Sequence, residues 1–170
     1  MFRIFKKNIA QTEDLYASLE EQSIYWNDEV EFVISIILKT LKNFNEDQGE
    51  NAQLMTLFKN TDDVEFVKTL FRKTVLNKDK YLELIKEFTK NWEIERIAFM
   101  DILILQLAIN EVTEFPSIPT KVTFNEYLEI AKFYSTNKSS MFINGVLDKI
   151  IKHLKENNVI KKQGRGLIGE

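Results

Sequence analysis

An all-α fold of seven or eight helices is expected, on three observations. Apolar residues recur at helical spacing nearly throughout the 170 residues. Thirteen Phe stand against five Gly and two Pro, which favours long regular elements over tight turns. No stretch shows strand-like alternation bounded by turn pairs, and there is no internal repeat.

The elements follow in order. Thr12 starts a short helix carrying Leu15, Tyr16 and Leu19. Asn27 caps a longer one with Val30, Val33, Ile34, Ile37, Leu38, Leu41 and Phe44 on its stripe. Asn45 to Glu50 is polar, contains Gly49, and reads as a loop dividing two helical bundles. Asp62 with Glu65 reads as a capping box opening a helix through Val67, Leu70, Phe71 and Val75. Asn77-Lys78-Asp79 is a tight connection before Tyr81, Ile85 and Phe88. Asn91 caps a long helix that ends at Phe115, because Pro116 and Pro119 forbid continuation. Thr123 and Glu126 form a second capping box, with Phe124, Leu128 and Ala131 inward. Asn137 to Ser139 makes the last turn before a final helix. The division is then 1–48 as an N-terminal helical segment, 51–156 as a helical domain and 157–170 as a flexible basic tail.

Composition bounds the chemistry. A 44% hydrophobic and 29% charged chain is a soluble globular type, long enough for one domain or two small units. Zero Cys excludes disulfides, thiolate metal sites and cysteine nucleophiles, and fits a cytoplasmic protein. The longest apolar run, Ile102 to Ala108, is broken by Gln106 and bordered by Asp101, too short and polar to span a bilayer. His153 lacks triad partners and reads as solvated or packed. Glu20-Glu21 and Asp62-Asp63 read as helix-end charges that complement the dipole. With Gly scarce and no preceding strand there is no phosphate-cradling loop. No enzyme, metal or cofactor is expected.

Net charge is −3, unevenly spread. Residues 1–118 carry 14 Lys+Arg against 21 Asp+Glu, a balance of −7; residues 119–170 carry 9 against 5, a balance of +4. Such asymmetry fits an acidic protein touching nucleic acid along one face, and equally a solvated Lys-rich helix pair.

The basic third contains the most informative segment, Ser139-Ser140-Met141-Phe142-Ile143-Asn144-Gly145-Val146-Leu147-Asp148-Lys149-Ile150. Ser139 can cap the helix by accepting from backbone N–H groups one turn on. At 100° per residue Ile143, Val146, Leu147, Ile150 and Leu154 form one stripe, with Phe142 at its edge. Gly145 costs a helix roughly 1 kcal/mol against Ala, so a close backbone approach there is a reason for it. Lys132, Asn137, Lys138, Ser139 and Phe142 form a candidate RNA-binding cluster: phosphates on the lysines and the helix N-terminus, a base stacked on the ring. The alternative is that Phe142 finishes the core edge and the lysines are solvated. Lys138 beside a helix N-terminus is unfavourable by a few tenths of a kcal/mol unless an anion also sits there. A second candidate is Asp101, a carboxylate within the apolar helix Ile97–Ile109. Either it pairs internally, with Arg96 or a Lys from another helix, or with Arg96 it faces a protein partner.

These residues resemble the NusB transcription antitermination factor family. The final motif matches the family's closing segment. Upstream, the run from Ile97 to Glu111 resembles its long central helix, and that from Ile118 to Lys132 its Pro-led helix with Asn125-Glu126 and Ala131-Lys132. The resemblance covers about Trp92 to Leu154, with a looser match before. It implies NusB-like helical bundles, no catalysis, and binding of ribosomal protein S10 and a short single-stranded RNA signal in nascent transcripts. Through that complex the RNA polymerase elongation complex resists termination, mainly on ribosomal RNA operons. It further implies that Asp101 helps bind S10 and that Phe142 lies near RNA. The family's Arg-rich N-terminal arm is not seen; Arg3, Lys6 and Lys7 stand there instead. A diverged member, or the C-terminal part of a longer one, is expected to hold RNA less tightly. The alternatives are an RNA-binding accessory domain of a ribosomal RNA methyltransferase, and a protein-interaction scaffold without RNA binding.

Overall fold

Helical periodicity is realised along the chain: the computed structural model has eight α-helices and no strand among the residues it describes, 2–44, 55–56, 58, 60–90 and 96–169. The chain divides into two compact units at Lys59/Asn60. The expected loop at Asn45–Glu50, and Asn91 as a cap, lie outside the described residues.

In the first unit α1 (Phe2–Ile4) runs on as π-helical turns (Phe5–Ile9), followed by α2 (Glu13–Gln22) and α3 (Trp26–Asn43). Thr12 is at the N-cap of α2 as expected, but its hydroxyl donates back to the Asn8 carbonyl at 3.0 Å. α3 starts at Trp26, so Asn27 is inside the helix and not its cap. Glu20-Glu21 fall in the last turn of α2, where the dipole opposes them, against expectation.

The second unit carries most of the buried core. α4 (Thr61–Leu76) opens on Asn60, whose Oδ1 accepts the Asp63 N–H at 3.0 Å, so the cap lies two residues before the expected capping box. Its expected stripe faces inward only at Leu70, which is half-buried: Val67, Phe71 and Val75 are exposed, and Thr74 is the buried residue. Asn77 alone joins α4 to α5 (Lys78–Phe88). Its side-chain amide donates to the Lys73 carbonyl at 2.8 Å, while its own carbonyl receives Tyr81 N–H at 3.0 Å. α6 (Phe99–Glu114) starts at Phe99, well after the expected cap, and stops ahead of Pro116 as expected. α7 (Thr120–Tyr134) starts directly after Pro119. Thr123 is therefore inside α7, not capping it, because its hydroxyl is taken by a buried carboxylate on α6. α8 (Ser139–Glu156) buries the expected stripe of Ile143, Val146, Leu147, Ile150 and Leu154.

α6 is the hub. Ile104, Leu105, Ala108, Ile109 and Val112 lie at 2% exposure or less and pack with Tyr81 and Ile85 of α5, Tyr127 and Ala131 of α7, and the α8 stripe. Buried polar groups are paired inside it. The Asn110 amide donates to Thr74 Oγ1 and the Leu70 carbonyl, both at 2.9 Å, and its oxygen accepts from Tyr81 O–H at 3.1 Å. The Glu111 carboxylate accepts from Thr123 at 2.7 Å and Tyr127 at 3.0 Å.

Burial, then the negative charge of Glu111, then the hydrogen bond to it raise the Tyr127 phenol far above its usual range. Tyr81 is raised chiefly by burial; Thr113 works against the shift and Glu114 adds to it. A phenol with a raised folded pKa holds its proton more tightly than the unfolded chain does. Its contribution is therefore complete below pH 10 and is lost as pH climbs beyond it. Urea midpoints should fall above pH 10, and Tyr127→Phe should flatten that decline. An unchanged alkaline slope would dissociate Tyr127 from it.

The tail departs from the flexible segment expected at 157–170. Gly164–Leu167 forms a 3₁₀ turn docked on the α6–α7 connection. Gln163 N–H donates to the Pro116 carbonyl at 2.9 Å and Lys162 Nζ to the Phe115 carbonyl at 3.2 Å. Gly166 is buried, and a Cβ built there would stand 1.9 Å from the Pro116 oxygen. Glycine is required by that approach. Gly166→Ala should release the tail and cost roughly 1–3 kcal/mol by overpacking. Faster hydrogen exchange confined to the last dozen or so residues would show it; unchanged exchange would not fit.

Candidate nucleic-acid and protein interface

The α7–α8 junction is built from hydroxyls. Ser139 is the first residue of α8 and lies at 1% exposure. Its Oγ accepts the Thr136 N–H at 3.2 Å and lies 2.8 Å from Thr136 Oγ1 and 3.0 Å from Ser135 Oγ. Ser139 is thus no cap for N–H groups one turn on, and it offers no surface to a ligand. It ties the turn together from beneath, and Lys138 occupies the N-cap position.

Ser135 completes the arrangement by donating to Asp101. Asp101, at 5% exposure, is held by that hydroxyl. Sequence spacing missed Ser135 because the two residues stand 34 apart. The chain of contacts from Asp101 through Ser135 to Ser139 and Thr136 links the two candidate regions, α6 start and α7–α8 turn. Beside Asp101, Phe99 is 73% exposed and Arg96 is also on the surface.

Above this base the other candidates lie in different places. Asn137 and Lys138 are exposed on the turn. Lys132 pairs with Glu129 and lines a groove between α7 and α8, with Asn125, Ser140 and Asn144. Phe142 is half-buried, packs against the core edge, and lines a second groove between α5 and α8. Met141, 78% exposed, lines both and forms the ridge between them. The expected single patch is therefore two grooves on either side of the start of α8. Lys90 and Lys149, which also line the second groove, were not legible as site residues, since nothing in their local spacing marks them.

Arg165 sits with the docked tail on the connection leading into α7. That is the far end of a 15-residue helix, about 22 Å from the turn after Tyr134. His153 packs edge-on against Phe88, ring centres 5.2 Å apart. Among the described residues no cluster of His, Asp and Glu could hold a metal ion, and no helix is long and apolar enough to cross a membrane.

The class defined by these features is an all-α protein with a five-helix unit gathered round a central apolar helix, and open grooves at one helix junction. More narrowly, the chain belongs to the NusB family, whose profile matches residues 18–152. That match begins far upstream of Trp92, so the family likeness takes in the helices that sequence reading matched only loosely. The transcription antitermination protein NusB of Salinibacter ruber is 37% identical over 139 residues, 78% of this chain and 87% of that protein. The NusB protein of Natranaerobius thermophilus is 41% identical over 95 residues, 56% of this chain and 68% of that one. That of Chloroherpeton thalassium is 38% identical over 104 residues, 61% of this chain and 49% of its own length. No solved structure matches.

Proposed function

We propose that this protein is a non-catalytic, cytoplasmic transcription antitermination factor. It binds ribosomal protein S10 and a short single-stranded RNA signal in nascent ribosomal RNA transcripts, helping the RNA polymerase elongation complex pass terminators. The observation that carries this reading is the exposed Asn137–Lys138 turn beside half-buried Phe142, in a chain of the NusB family. Lys138 stands at an N-cap, where the helix dipole opposes a cation, and a phosphate there satisfies both the cation and the helix end. Lys132 supplies a further cation from the neighbouring groove. Ser139 acts by fixing the turn rather than by touching RNA.

The protein partner is assigned to the start of α6, where Arg96 and Phe99 are exposed and Asp101 braces the surface from within. Binding of S10 at that end adds contacts and raises apparent RNA affinity by linkage. The candidate site itself carries few cations, Lys132 and Lys138 foremost, so RNA alone is held weakly and with a shallow salt slope.

Titration of a labelled single-stranded ribosomal RNA leader at low salt, with and without S10, tests the reading. Binding that strengthens at least fivefold with S10 is expected. Binding to RNA regardless of S10 favours an RNA-modification accessory role, and binding to neither leaves a scaffold. Asp101→Lys should lower S10 affinity at least tenfold in the folded fraction; unchanged affinity would mean that Asp101 does not brace the partner face.

A further inference from the structure

Among the described residues, no packing contact accounts for Gly145. It lies mid-helix in α8, is exposed, and a Cβ built on it meets nothing within 4 Å. The close approach expected of a helical glycine is therefore not made by any described residue, in contrast to Gly166. The bare backbone instead opens onto the groove between α5 and α8, a cleft of about 410 Å³. That volume lies within the roughly 300–1,000 Å³ of small-ligand clefts. Phe142 is one helical turn away along the same groove, and Lys90 and Lys149 line it with Glu87 the opposing charge.

We infer that this groove holds one nucleotide of the bound RNA, with its base stacked on Phe142 and laid over the bare backbone of Gly145. Its phosphate is held by Lys90 and Lys149. This rests on the RNA-binding reading above and adds to it a subsite that includes α5. A flat base needs a ring to stack on and a surface without protruding carbons beside it, and an α8 side chain at 145 would project into that space. Among the described lining residues two cations, Lys90 and Lys149, stand against one carboxylate, Glu87, a balance that suits a backbone phosphate. A nucleotide so placed lies on the Met141 side away from Lys132, so the strand crosses the start of α8 over the Met141 ridge.

Gly145→Ala separates binding from folding because the two should move in opposite directions. With no clash and better helix propensity, the melting temperature should rise by about 2–4 °C. Affinity for the labelled ribosomal RNA leader should fall about tenfold in the presence of S10. Lys149→Gln and Lys90→Gln should each reduce the slope of log affinity against log salt by about 0.7. Wild-type affinity in Gly145→Ala, with salt slopes unchanged in both lysine variants, overturns the subsite and leaves glycine merely tolerated there. If Phe142→Ala still weakens binding in that case, the wider RNA reading stands. Should the wild-type protein bind no RNA with S10 at low salt, both fall together. A lowered melting temperature in Gly145→Ala would show a hidden contact, and unchanged lysine slopes would then still refute the subsite.

Discussion

Asn110→Ala is expected to cost the second unit about 3–4 kcal/mol. The side chain is fully enclosed and joins three helices, receiving Tyr81 O–H from α5 while donating to Thr74 and the Leu70 carbonyl of α4. Truncation removes the acceptor of the Tyr81 hydroxyl, at about 1–3 kcal/mol for a lost buried hydrogen bond, and leaves a small cavity besides. Thr74 keeps its bond to Leu70 at 2.8 Å, which limits the loss on that side. Urea denaturation should show an earlier midpoint with an unchanged slope. Tyr81→Phe removes the hydroxyl that has lost its acceptor, so the double variant should recover part of the loss. A midpoint within experimental error of wild type would mean that Asn110 is not holding α4 and α5 to α6. The site is remote from the α7–α8 turn, and RNA affinity per folded molecule should be retained.

Phe142→Ala should act mainly on binding. Loss of a stacked base is worth about 1–3 kcal/mol, or roughly 5- to 150-fold in affinity. The ring also packs against the core edge, so some stability is lost as well, about 1–2 kcal/mol for a half-buried aromatic. The two effects are separated by measuring RNA binding below the melting transition and scaling it to the folded fraction. A large fall in melting temperature with unchanged binding per folded molecule would make Phe142 a packing residue and nothing more. Phe142→Tyr keeps a stacking face and should bind nearly as wild type. A loss as great as that of alanine would point to crowding instead of stacking.

Local patterns in the chain carried far. The all-α class, the inward stripe of α8 from Ile143 to Leu154, the Pro-imposed end of α6 and the family likeness were all readable without coordinates. Each depends on residues within a turn or two of one another, or on backbone rules that act at a single peptide. The failures share a cause as well. Val67, Phe71 and Val75 have helical spacing, but spacing says that a face exists without saying what covers it. Asp62 and Thr123 have the form of capping-box residues, yet Asn60 and Pro119 occupy the actual helix starts.

Asp101 and Ser139 show the limit most clearly. Each was recognisable as a polar residue needing a partner, and both turned out to share Ser135, which no spacing rule connects to an aspartate on another helix. The tail's glycines read as freedom, whereas Gly166 is buried against the Pro116 carbonyl. Helix formation and amphipathic periodicity are short-range, so the amino-acid order alone settled which segments coil and that α8 turns its stripe inward. The choice of buried hydrogen-bond partners, the docking of the tail and the splitting of the basic edge into two grooves came from three-dimensional packing. Those depend on groups brought together from distant segments, where satisfying an enclosed polar atom or excluding one Cβ outweighs any local preference.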